Sequence, residues 1–224
     1  MRGRLLAFAL LVACLGAVLS GEQPFDTRSF TVVPGDTLTI TSDFGKIRVR
    51  PCEGAVLEIR SRRSTDDPSG KSMPVVDIRK EGMTIVVRSV SSGAAGEVVD
   101  LDISVPASLS VTISGANPEV DLAGLLQNPM RVQTSTGRIT SVDITSDLRL
   151  VSQSGDIRYR TGLQPRGDVR LESASGSIYC ELEDGLNLRN QLRAGGKIFW
   201  DMEPMLEAAS LERQLGVLGP LLSG

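Results

Sequence analysis

MRVQTSTGRITSV (residues 130–142), LRLVSQSGDIRYR (148–160) and VRLESASGSIYCE (169–181) are three versions of one thirteen-residue phrase. Their central glycines, Gly137, Gly155 and Gly176, lie 18 and 21 residues apart. A fourth version, RNQLRAGGKIFWD (189–201), places Gly196 another 20 residues on, and an early one, LTITSDFGKIRVR (38–50), is centred on Gly45. A degenerate version, VTISGANPEVDL (111–122), carries Pro118 where the glycine would stand. A period near twenty residues, with two short apolar-alternating runs per period, marks stacked coils that bury their apolar faces only against their neighbours.

Within each phrase the apolar residues recur at period two. Seven and five residues before the glycine stand Met130 and Val132, Leu148 and Leu150, Val169 and Leu171, and Leu38 and Ile40. Two and four residues after it come Ile139 and Ser141, Ile157 and Tyr159, Ile178 and Cys180, Ile198 and Trp200, and Ile47 and Val49. That alternation predicts strands with one buried face, and helical spacing cannot produce it. Three residues before the glycine lie Thr134, Ser152, Ser173 and Ser42, small hydroxyls suited to bonding backbone at a corner. The glycine is expected to supply a positive φ at that corner. The reading is an all-β chain of β-solenoid or β-helix-like stacked coils, equivalent residues lying about 4.8 Å apart in successive coils.

Outside the phrases the pattern changes. Residues 56–60, 75–80, 83–88 and 98–105 alternate as strands, with a hairpin expected at Lys80-Glu81-Gly82 and a polar loop over residues 61–73. Residues 51–110 are therefore expected to form an antiparallel insert or cap near the N-terminal end, and residues 111–201 the repeat coils. Together they make one β domain over residues 21–201. Residues 202–224 break the pattern; Pro204 followed by Met205, Leu206, Ala209, Leu215 and Leu218 suggests a short helical tail capping the last coil, the alternatives being a membrane-surface or oligomer contact and a loose end.

The first twenty residues read as an export signal: Arg2 and Arg4, then an apolar run over residues 5–19, with cleavage after Ser20. Two other outcomes stay open. LVAC (residues 11–14) is a lipoprotein-like box that would lipidate Cys14, and an uncleaved segment would act as an anchor. The chain is expected in the periplasm or on the cell surface, on the membrane only if Cys14 is lipidated or the signal is retained.

Composition removes several chemistries. With 24 basic and 27 acidic residues and 4% aromatics, nothing points to nucleic acid. Histidine is absent, which removes the commonest general base and metal ligand. No nucleophile elbow, zinc spacing or phosphate-cradling loop is present, so neither a cofactor nor a catalytic residue is assigned. Asp66 with Asp67, Asp100 with Asp102, and Glu119 with Asp121 are acidic pairs, read as solvated strand or loop surface. Export permits a Cys52–Cys180 bridge, whereas the inward position of Cys180 favours a buried thiol.

One surface feature is generated by the repeat itself. Arg131, Arg149 and Arg170 all stand six residues before the glycine, between inward residues, and so point outward as a ladder. Such a stripe could meet phosphate or carboxylate groups; it could equally be ordinary strand exterior beside Glu172 and Glu181.

The serial T-S-T-G-R-I (134–139), S-Q-S-G-D-I (152–157) and S-A-S-G-S-I (173–178) motifs behind an export signal resemble the bacterial putative-adhesin domain of unknown function, over about residues 25–201. The resemblance implies a β-helical or solenoid-like cell-envelope protein, associated in some cases with envelope stress systems, with no agreed enzymatic activity. It transfers no functional residues. The expectation is an exported, non-catalytic structural or interaction protein whose partner is an envelope protein, glycan or lipid headgroup. The alternatives are a carbohydrate-acting β-helix enzyme and a periplasmic lipid- or lipoprotein-handling protein.

Overall fold

The computed structural model describes residues 25–66, 73–91, 96–124, 127, 129–183, 186 and 190–201. Among them the chain forms strands and no helix. The N-terminal half supplies β1 (Asp26–Thr31), β2 (Thr37–Thr41), β3 (Lys46–Cys52), β4 (Val56–Ser64), β5 (Val75–Glu81), β6 (Thr84–Val90) and β7 (Val98–Pro106). The repeats supply β8 (Ser110–Gly115), β9 (Glu119–Ala123), β10 (Met130–Thr134), β11 (Ile139–Val142), β12 (Leu148–Ser152) and β13 (Ile157–Thr161). They end with β14 (Val169–Ser173), β15 (Ile178–Leu182), β16 (Asn190–Ala194) and β17 (Ile198–Asp201).

Two mixed sheets share these strands. The first runs β1-β4-β7-β3-β9-β11-β13-β15-β17, and the second β16-β14-β12-β10-β8-β2-β6-β5. Each phrase contributes one strand to each sheet, and every repeat strand pairs parallel and in register with its counterpart in the next phrase. Ile139, Ile157, Ile178 and Ile198 line up as successive partners, as do Val132, Leu150, Leu171 and Leu192.

The early phrase departs from chain order. Its strand β2 lies between β6 and β8, and β3 lies between β7 and β9, all four pairings parallel. Strands β6 and β7 thus stack outside the early phrase, which sits against the degenerate one. The outer margin is antiparallel: β5 on β6, β4 on β7, and β1 on β4. The hairpin at Gly82 forms as the sequence indicates, with Glu81 facing Thr84. Strand β4 runs to Ser64, past the expected end at Arg60, because Ser61 turns inward and Ser64 still pairs with Val98.

The core is the strip between the sheets. Ile47, Val120, Ile139, Ile157 and Ile178 are fully buried, with Leu38, Ile113, Val132, Leu150 and Leu171 facing them. At the corners the hydroxyls form a buried rail. Ser152 Oγ accepts the Gly155 N–H at 2.8 Å, and Ser173 Oγ accepts the Gly176 N–H at 3.0 Å while donating to the Gly155 carbonyl at 2.9 Å. Thr134 donates to the Gly137 carbonyl at 3.1 Å. These bonds satisfy backbone groups that the turn removes from both ladders.

The reason for the glycines differs from the expectation. Of the phrase-centre glycines only Gly45 has a positive φ, 85°. Gly155 and Gly176 instead lack room: a Cβ on Gly155 would sit 2.1 Å from the Gly137 carbonyl oxygen, and one on Gly176 2.4 Å from that of Gly155. Glycine is required here because one corner rests directly on the backbone of the next. The expected signal over residues 1–20, Cys14 within it, and the expected helical tail over residues 202–224 lie outside the described residues. None of the described residues forms a helix long and apolar enough to cross a membrane.

Candidate functional site

The outer face of the second sheet carries the arginine ladder. Arg131 pairs in register with Arg149, and Arg149 with Arg170, on β10, β12 and β14. Thr112 of β8 and Gln191 of β16 extend the row at either end. Parallel strands about 4.8 Å apart set the spacing of the three side chains. Glu172 serves two of them, contacting Arg170 and lying 3.9 Å from Arg149. Arg131 is exposed and forms no ion pair among the described residues.

An open cleft of about 440 Å³ lies over this row. Its walls are the three arginines, Ser110, Thr112, Pro129, Asp147 and Asp168. One Asp147 oxygen accepts the Asp168 backbone N–H at 2.8 Å, which fixes that loop. The cleft thus offers a row of planar donors of the kind that grip a carboxylate or phosphate with two parallel hydrogen bonds, Arg131 without an ion pair among the described residues and Arg149 and Arg170 sharing Glu172.

The acidic pairs are placed differently. Strand β3 brings Asp100 and Asp102 on one side together with Glu119 and Asp121 on the other, and cations of β3 and β4 pair with them. Lys46 Nζ lies 2.8 Å from Asp121 and 3.4 Å from Glu119, Arg48 lies 3.0 Å from Asp102, and Arg62 lies 2.8 Å from Asp100. The Lys46 backbone N–H also donates to Asp100 at 3.1 Å. The Asp121 carboxylate beside it holds the Lys46 ammonium above the usual lysine range. These two carboxylate pairs therefore belong to an alternating charge ladder across β4, β7, β3 and β9, partly exposed and ion-paired at once; Asp66 is exposed, and Asp67 lies outside the described residues. Among the described residues no three acidic or cysteine side chains gather as a metal-binding group.

Sequence reasoning missed an aromatic stack on the first sheet. Arg158, Tyr179 and Phe199 are register partners on β13, β15 and β17. The Tyr179 and Phe199 rings stack with centroids 4.6 Å apart and planes 5° from parallel, and the Arg158 guanidinium lies 5.3 Å from the Tyr179 ring centre. The signal was present, since all three stand three residues after a phrase glycine. It is hard to see in a chain with so few aromatics.

Cys52 and Cys180 are both free thiols. They sit on β3 and β15, four strand intervals apart in one sheet, or about 19 Å at 4.8 Å per interval. That is far beyond disulfide reach. Burial pushes the Cys180 thiol up to about 12.

No family model matches the chain, and no curated protein matches its sequence. Among solved structures it is similar to a putative cell adhesion protein from Clostridium sporogenes, at 9% identity and a TM-score of 0.41, over 80% of this chain and 100% of that one. It is similar also to a putative adhesin from Parabacteroides distasonis, at 10% identity and a TM-score of 0.28, over 79% of this chain and 97% of that one. A putative adhesin from Parabacteroides merdae gives 10% identity and a TM-score of 0.26, over 82% and 98%. Likeness at this level carries no argument about activity.

Proposed function

We propose that the chain is an exported, non-catalytic, adhesin-like module of the cell envelope. In this reading its repeats wind as a β-solenoid, and the arginine row attaches to anionic groups on envelope glycans or lipid headgroups. The observation that carries it is the in-register row Arg131–Arg149–Arg170 facing one open cleft. The ion pairing of Asp100, Asp102, Glu119 and Asp121 with Lys46, Arg48 and Arg62 adds to it. The leader-like residues 1–20 support export. One exposed arginine–anion contact contributes less than about 1 kcal/mol. Useful attachment therefore needs several contacts along a repeating ligand, which a rigid row supplies.

The test compares the parent with the Arg131→Gln, Arg149→Gln, Arg170→Gln triple variant. Binding is measured to vesicles containing anionic lipid and, separately, to an anionic polysaccharide. The parent should bind at least one of them, and the binding should weaken as salt rises, because exposed charges are screened within about 8 Å at physiological ionic strength. The variant should keep the parent melting temperature and lose that binding. Equal binding by parent and variant at low salt would overturn the proposal, and so would binding indifferent to salt.

A further inference from the structure

The two ends of the strand array are finished differently. At one end the antiparallel strands β5, β4 and β1 close the sheets, with charged residues such as Arg28, Arg79 and Glu81 along the margin. At the other end β16 pairs only with β14 and β17 only with β15 among the described residues. Core positions lose their cover there. Leu192 and Ile198 are partly exposed, whereas their partners one coil earlier, Leu171 and Ile178, are fully buried. The aromatic stack ends there too: one face of Phe199 lies on Tyr179 and the ring is 44% exposed. An apolar core with two free strand edges invites a further layer.

We propose that residues 202–224 of this chain lie across the open end formed by β16 and β17 and complete its core. The segment follows directly on β17, so it is tethered to that surface at high effective concentration. Its twenty-three residues far exceed the width of the last coil at about 3.3 Å per extended residue. Its composition suits the surface: Met205, Leu206, Leu211, Leu215, Leu218 and Leu222 offer apolar side chains. Its charges, Glu203, Glu207, Glu212 and Arg213, are acidic in balance, while the exposed cations of the last coil are Arg193 and Lys197.

The chain carries its own reporter, because its single tryptophan, Trp200, is on β17. Two variants are compared with the parent: one ending after Asp201, and one with Leu206→Ser, Leu211→Ser, Leu215→Ser and Leu218→Ser in the full-length chain. Both should raise acrylamide quenching of Trp200 about twofold or more, and amide-exchange protection of β16 and β17 should fall about tenfold or more. Protection of β8 to β13 should stay unchanged. If the shortened chain fails to fold, the full-length serine variant decides alone. Unchanged quenching and protection in the serine variant would overturn the proposal. Quenching of the parent that increases on dilution would overturn it as well, because a second copy would then be the cover.

Discussion

Gly155→Ala separates the two explanations for the phrase glycines, because they differ in the sign of the effect. Gly155 does not have a positive φ, so if only backbone conformation mattered alanine would stabilise the chain by about 0.4–1 kcal/mol, through the entropy of the unfolded state. Geometry says otherwise. The new Cβ would lie 2.1 Å from the Gly137 carbonyl oxygen and 2.8 Å from Ser152 Oγ, so the stacked corners must part by about 1 Å to restore van der Waals contact. The displaced carbonyl is the one that accepts the buried Thr134 hydroxyl, and Ser152 Oγ holds the Gly155 N–H. Overpacking of this kind costs about 1–3 kcal/mol, and weakening a buried hydrogen bond about 1 kcal/mol more. We expect a loss of about 3 kcal/mol, which for a chain of this size lowers Tm by about 6–12 °C. Gly82→Ala is the matched control. There φ is +59° and nothing lies within 4 Å, so the cost is the left-handed conformation alone, about 1 kcal/mol. Thermal melts followed by circular dichroism and calorimetry read both variants. A Gly155→Ala protein that melts at or above the parent temperature would refute the close-approach argument.

Ile157→Asp places a charge between Ile139 and Ile178 in a fully buried row and should cost several kcal/mol, enough to abolish a cooperative melt, whereas Ile157→Val should cost about 1 kcal/mol; an unchanged melt for the aspartate variant would show that Ile157 is not inside. Alkaline stability follows from two buried acids. Cys180 is pushed from 9.0 up to about 12 by burial, and burial followed by the neighbouring Cys180 raises the Tyr159 phenol above its ordinary value. Both are protonated in folded and unfolded chains well below pH 9, so stability is flat there with respect to them, and the fall begins as pH approaches 9. Above it the unfolded chain loses its Cys180 proton first, and stability should fall by up to about 1.4 kcal/mol per pH unit. Cys180→Ala should shrink that fall to the part left by Cys52, whose thiol is also raised by burial, and by Tyr159. Denaturant melts across pH 8 to 11 check this, and identical curves for parent and variant would refute it.

Much of the fold is legible because it is local. Leu148, Leu150, Ile157 and Tyr159 alternate with polar neighbours, and that alternation by itself dictates two strands with inward residues at those four positions. The serines three residues before Gly155 and Gly176 announce the corner through their own short-range bonds. The arginine ladder was legible for the same reason, since β10, β12 and β14 pair in parallel with equivalent positions of the phrase in register. The aromatic stack was less so. Arg158, Tyr179 and Phe199 share a position in the phrase without sharing a residue type, and only their contact shows that they act together.

What the sequence by itself determined is the repeating unit: its two strands, its corner, its inward and outward faces, and hence the rows that appear when units stack in order. Only the tertiary structure decided where each unit goes. Strands β6 and β7 lie outside the early phrase, which is inserted between them and the degenerate copy. Two of the acidic pairs consequently meet Lys46, Arg48 and Arg62 while staying partly open to solvent. The physical reason is that strands join through backbone N–H and C=O groups that are the same in every residue. Strand order is therefore chosen by the summed fit of side chains on both faces and by the loops that connect them. Gly155 shows the same limit at the scale of one atom: the sequence marks the glycine, and the carbonyl that forbids any other residue arrives from Gly137, eighteen positions earlier.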